Sequence, residues 1–144
     1  STMLASGGRH ALGAHAARSL VRCRPTSLVI SAPTRAMASR SEDAMARATE
    51  LIEGADIMVF SKVSCGFSTR AKQAIVSNVE GAKEKMEVLE LDMEPDGKFI
   101  QKALADITGQ RTVPNVFVKG EHVGGCDDTL DMLSTGAFQR MLDA

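Results

Sequence analysis

Residues 57–68 read Ile57-Met58-Val59-Phe60-Ser61-Lys62-Val63-Ser64-Cys65-Gly66-Phe67-Ser68. Ile57 to Phe60 is a short unbroken apolar run, the mark of a strand covered on both faces. A helical pattern begins soon after it, with Phe67, Ala71, Ala74, Ile75 and Val79 on one side. A cysteine therefore stands between a buried strand and a helix start. There it meets unpaired backbone N–H groups and the positive end of the helix dipole. Lys62, three residues earlier, adds a cation. Both favour thiolate over thiol, and the thiolate is the form that attacks disulfides.

The pattern continues on either side of this junction. Upstream, Ser41 reads as an N-cap, followed by Glu42 and Asp43. Ala44, Met45, Ala48, Leu51 and Ile52 recur at helical spacing, and Gly54 ends the run. Downstream, 86–91 reads as a second strand, Pro95-Asp96-Gly97 as a turn, and the helix after it turns Phe99, Ile100, Ala103, Leu104 and Ile107 inward. Val113-Pro114 interrupts the pattern before a strand at 115–118. Lys119-Gly120-Glu121 predicts a hairpin into His122-Val123. After Gly124-Gly125, Asp127 or Asp128 is expected to cap a last helix that Gly136 kinks or interrupts. The order α-β-α-β-α-β-β-α predicts an α/β fold: a four-stranded mixed sheet, a parallel pair and an antiparallel pair, flanked by helices on both faces.

The chain has 144 residues, 44% hydrophobic and 24% charged, enough for one domain with a tail. No apolar run approaches the length of a membrane span. The charge divides sharply. Residues 1–41 hold six Arg and no acid, whereas the rest carries a net −7. An acidic body without Trp or Tyr does not suit a nucleic-acid surface. The Ala-, Ser- and Arg-rich, acid-free segment 1–41 has the composition of an organellar transit peptide without a fixed fold. Thr26, Ser27, Ser31, Thr34 and the nearby prolines point to the chloroplast, with the mitochondrion as the alternative. The folded domain is then expected over 42–144.

Three spaced motifs give the chain its likeness to a known family. Cys65-Gly66-Phe67-Ser68 resembles the CGFS site of monothiol glutaredoxins. Thr112-Val113-Pro114 is similar to the TVP segment of dithiol glutaredoxins, and Gly124-Gly125-Cys126-Asp127-Asp128 to a third motif of the family. The resemblance implies a thioredoxin-like fold and a glutathione-dependent oxidoreductase with Cys65 catalytic. It also implies a glutathione site. In it Lys62 and Gln101 face the glycyl carboxylate, Val113 offers its backbone groups to the cysteinyl part, and Cys126, Asp127 and Asp128 hold the γ-glutamyl end. Gly66, Phe67, Ser68, Thr112 and Pro114 would support the site, Pro114 as the family's cis proline. The resemblance also allows Cys126 a disulfide with Cys65 on oxidation, although by itself Cys126 reads as a small buried residue.

The motifs come from two subgroups. Dithiol members have a second cysteine where this chain has Ser68. CGFS members carry an insertion between the lysine and the cysteine, and a Trp-Pro where this chain has Arg111-Thr112. Two functions follow from the resemblance. One is a monothiol enzyme acting on glutathionylated client proteins as a monomer. The other is a homodimer bridging a [2Fe–2S] cluster through Cys65 of each chain and two glutathione thiolates, serving iron–sulfur clients. The cluster requires four thiolates. Neither function calls for a nucleic acid or a membrane.

Overall fold

The structure is a computed structural model that describes residues 35–144. Helices α1 (Arg35–Gly54), α2 (Gly66–Asn78), α3 (Ala82–Lys85), α4 (Gly97–Thr108), α5 (Cys126–Ser134) and α6 (Ala137–Asp143) surround four strands. The strands are β1 (Ile57–Ser61), β2 (Met86–Glu90), β3 (Asn115–Val118) and β4 (Glu121–Gly124). Their order is β2-β1-β3-β4. β1 runs parallel to β2 and antiparallel to β3, and β3 runs antiparallel to β4. This is the mixed sheet of a thioredoxin-like fold. Every residue of β1 is buried, as its unbroken apolar run requires of a central strand.

Alternation along the strands divides the core into two layers. Met58, Phe60 and Phe117 pack against Ala48 and Ile52 of α1 and Ile100 and Leu104 of α4. The rings of Phe60 and Phe117 meet edge to face at 5.8 Å. Ile57, Val59, Val116 and Val118 face the other way, toward Ile75 of α2 and Phe138 and Leu142 of α6. Arg47 of α1 bonds Glu94 and Asp96, both at 2.9 Å, and so ties α1 to the start of α4.

Several local expectations need correction. α1 begins at Arg35, so Ser41 is an interior helical residue and caps nothing. The helix runs continuously across the boundary expected at residue 41, and 35–41 belong to it; the rest of the expected transit segment lies outside the described residues. The short helix α3 is an addition to the expected order, because four residues give too little periodicity to read. Ile107 is 43% exposed on the outer side of α4. As expected, Gly136 interrupts the last helical segment, standing between α5 and α6 at φ 71°. In the β3–β4 hairpin, Lys119 and Gly120 have φ of 48° and 84°, the left-handed pair that a two-residue turn needs.

Candidate functional site

Cys65 caps the N-terminus of α2 in extended conformation. Its N–H donates to the Lys62 carbonyl at 3.0 Å, which folds 62–65 into a tight turn. The sulfur lies 3.8 Å from the carbonyl oxygen of Val113, the residue joined to Pro114 by a cis peptide bond. The loop before β3 therefore runs directly past the thiol. Phe67 stands beside it, 63% exposed, and Val63 is similarly open at 62%.

The Cys65 thiol ionises below its ordinary range. The first cause is the Ser68 hydroxyl, followed by the Ser68 backbone N–H; the Phe67 N–H and the Lys62 ammonium add to it. Ser68 Oγ is fully buried and finds no hydrogen-bond partner among the described residues. The sulfur is thus the acceptor it can serve once the proton has left. Cys126 behaves in the opposite way. Burial pushes its thiol up, outweighing the opposing effect of Arg70. Both of these cysteines are free thiols.

A groove of about 390 Å³ opens beside Cys65, lined by Phe67, Gln110, Thr112, Val113, Pro114, Gly125, Cys126, Asp127 and Asp128. The fold brings together in this one hollow Phe67, Thr112, Val113, Pro114, Cys126 and Asp127 of the expected residues, with Asp128 present in a different role. Gly125, and neither aspartate, is the N-cap of α5. Asp128 reaches back from the first turn, where its Oδ2 accepts the Gly125 N–H at 3.1 Å. That leaves Asp127, exposed at the same helix start, as the carboxylate free to meet the groove's contents. Gly124 could not be otherwise: at φ 129°, an added Cβ would overlap the Asp128 carboxylate.

Gln101 is placed elsewhere. It lines a neighbouring hollow of about 390 Å³ with Lys98, Lys102 and Arg111, and its amide donates to the Arg111 carbonyl at 2.8 Å. Lys62 is half-buried at the turn before the sulfur and does not line the groove. An alanine Cβ at Gly66, next to the thiol-bearing residue, would meet nothing within 4 Å. Among the described residues no three His, Cys, Asp or Glu side chains converge to hold a metal ion.

Two supporting residues escape the sequence reading. Gln110 Nε2 donates to the carbonyls of Thr112 at 3.1 Å and Pro114 at 2.8 Å, which shapes the groove wall. Its position four residues before Pro114 is the only signal the sequence offers. Asp92 holds the other side of the Cys65 turn by accepting the N–H groups of Val63 and Ser64. Those partners are 29 and 28 residues away in the chain, beyond any local pattern.

The arrangement supplies an ionisable, reachable sulfur and a groove of mixed polar and apolar lining. Along that groove lie backbone groups at Val113 and a helix N-terminus at 125–128 with a free aspartate. The glutaredoxin family profile matches residues 57–123. A Vernicia fordii protein named Glutaredoxin is 50% identical over 99 residues, 69% of this chain and 91% of the relative. Glutaredoxin-C4, chloroplastic, of Oryza sativa subsp. japonica is 46% identical over 99 residues, 69% of this chain and 71% of the relative. A crystal structure of a buckwheat glutaredoxin–glutathione complex superposes with a TM-score of 0.68 at 38% identity, covering 77% of this chain and 94% of that one.

Proposed function

The chain belongs to the glutaredoxin family of glutathione-dependent thiol–disulfide oxidoreductases, and on that premise we propose that it works with a single sulfur, removing glutathione from protein mixed disulfides. The observation that carries this reading is Cys65 at the groove's edge with a serine hydroxyl, Ser68, in the place of a resolving thiol. The Cys65 thiolate attacks the glutathione sulfur of the mixed disulfide. The old S–S bond breaks, the client leaves as a thiolate that takes a proton, and Cys65 becomes glutathionylated. A second glutathione thiolate then attacks the glutathione sulfur held by Cys65. Glutathione disulfide departs and the Cys65 thiolate returns.

Glutathione lies along the groove in this reading. Val113 pairs with its cysteinyl backbone. The α5 N–H groups at Cys126 and Asp127 take the γ-glutamyl carboxylate, and the Asp127 side chain takes the adjacent ammonium. Asp128 contributes by fixing the helix start. Lys62 faces the glycyl carboxylate, while Gln101 acts by holding the Arg111 backbone. Gly66, Phe67, Thr112 and Pro114 shape the approach. Turnover of a small glutathione mixed disulfide is expected to vanish in Cys65→Ser. Full turnover in that variant overturns the assignment.

A second reading is favoured by the open space at Gly66. Two copies would each present Cys65 to a [2Fe–2S] cluster whose remaining ligands are two glutathione thiolates. The bound cluster would supply storage or transfer of iron and sulfide. Without Trp or Tyr the chain absorbs little near 280 nm, so visible absorbance after anaerobic reconstitution with glutathione is easily read. A colourless monomer rejects this reading. The basic, acid-free 1–41 segment and the chloroplastic relative support delivery to the chloroplast. A fluorescent fusion of residues 1–41 that stays in the cytosol, or enters mitochondria, rejects it.

A further inference from the structure

Three buried oxygens lie in the layer between the sheet and α2, and each lacks a hydrogen-bond partner among the described residues: Ser61 Oγ, Ser68 Oγ and Glu90 Oε2. Their placement follows from the fold. Ser61 and Glu90 are register partners at the ends of β1 and β2. Both sit on the sheet face that α2 covers, since Ser61 shares a face with Ile57 and Val59, which pack against Ile75. Lys72 of α2 bonds the other oxygen of Glu90, and Ser68 lies one turn earlier on the same face of that helix. Ser61 and Ser68 are both fully buried.

A buried polar atom left unmatched costs about 1–3 kcal/mol. Three in one layer, beside an ammonium with two further N–H donors, have the chemistry of an internal water site. We propose that an internal water joins Lys72 Nζ, Glu90 Oε2 and Ser61 Oγ to Ser68 Oγ, and that through it Lys72 is a positioning residue that keeps the Ser68 hydroxyl aimed at the Cys65 sulfur. The donors run in one direction, from the ammonium through water and the Ser68 hydroxyl to the thiolate. Each bond polarises the next, with the cation at the far end of the chain and the anion at the near end. The water fills the lone pair of Ser68 that faces away from sulfur, so the hydroxyl proton has one direction left.

The test is the pH dependence of Cys65 alkylation in the full chain, with the adduct located by mass spectrometry. Lys72→Met is expected to move the labelling curve to higher pH and slow labelling several-fold at neutral pH. Lys72→Arg retains most of the wild-type rate. Made in a Ser68→Ala background, Lys72→Met adds nothing further. An equal shift in both backgrounds, or no shift in a folded variant, overturns the proposal. If Lys72→Met does not fold, Lys72→Gln is read in the same cycle. A high-resolution crystal structure is expected to show an ordered water among the three oxygens, and a dry interface there also overturns it. The inference rests on Cys65 as the reacting sulfur. Labelling reads that sulfur's ionisation and not turnover, so the two ideas fail separately.

Discussion

Ser64 gives both its backbone N–H and its hydroxyl to Asp92 Oδ2, each at 3.2 Å, while Val63 gives its N–H to Asp92 Oδ1 at 3.0 Å. A carboxylate just beyond β2 thus clamps the turn that carries the thiol. These bonds, Val63's first, hold the Asp92 carboxyl below the usual carboxylate range. A depressed carboxylate adds stability that is present above the unfolded-state pKa and lost as pH falls through the folded one. Asp92→Asn is expected to reduce turnover several-fold. Its stability deficit against wild type, read by urea denaturation, shrinks once the pH drops below the ordinary carboxylate range. A deficit that persists in acid contradicts the clamp.

The two described cysteines are set apart electrostatically. Ser68 heads the causes that lower the Cys65 thiol, and burial raises that of Cys126. At neutral pH a limiting alkylating reagent is expected to mark Cys65 well before Cys126, with mass spectrometry reading the two sites. Ser68→Ala moves the Cys65 labelling curve toward higher pH. The sign follows from the direction of the shift: a lowered thiol keeps its thiolate below the pH at which an ordinary cysteine ionises. Labelling of Cys126 first refutes this order.

The sheet and the thiol are legible because they rest on local signals. An unbroken apolar run marks β1, and a cysteine before helical spacing marks the junction with α2. The α1 start is not legible. Ser41 offers a good cap only if the preceding chain is not already helical, and the good helix formers Ala36, Met37 and Ala38 carry the helix through it. The role of Asp128 is half legible: acid near a helix start is expected, but whether it caps or binds depends on Gly125, which supplies the capped N–H. Asp92, Lys72 and Glu90 are invisible in the sequence, since strand register and helix packing, and no spacing in the chain, bring Lys72 to Glu90 and Asp92 to the turn at Val63 and Ser64.

Gln110 is the structural pin of the groove wall. Its amide meets two carbonyls of the Thr112–Pro114 segment, one of them on the buried Pro114. Each bond contributes about 1 kcal/mol. Gln110→Ala is expected to weaken glutathione use by roughly tenfold, seen as a raised KM with a smaller change in kcat. Gln110→Glu replaces the donor with an acceptor facing two carbonyls and is expected to be worse. An unchanged KM in both variants removes Gln110 from the site.

Two glycines give opposite expectations under the same substitution. A Cβ on Gly97 would overlap the Leu91 carbonyl oxygen and sit 2.8 Å from its carbon. Both are backbone atoms just past the end of β2, so relief requires moving either the strand or the start of α4. Gly97→Ala is expected to destabilise by about 3 kcal/mol, measured by urea denaturation. Leu91 precedes Asp92, so the displaced backbone also loosens the clamp on Ser64, and turnover falls along with stability. A Cβ on Gly66 meets nothing within 4 Å and lies in the first turn of α2. Gly66→Ala is therefore expected to hold or slightly raise stability, through the better helix propensity of alanine. If both variants unfold at the same urea concentration, the close approach of α4 to β2 is not what fixes the site-bearing end of the sheet.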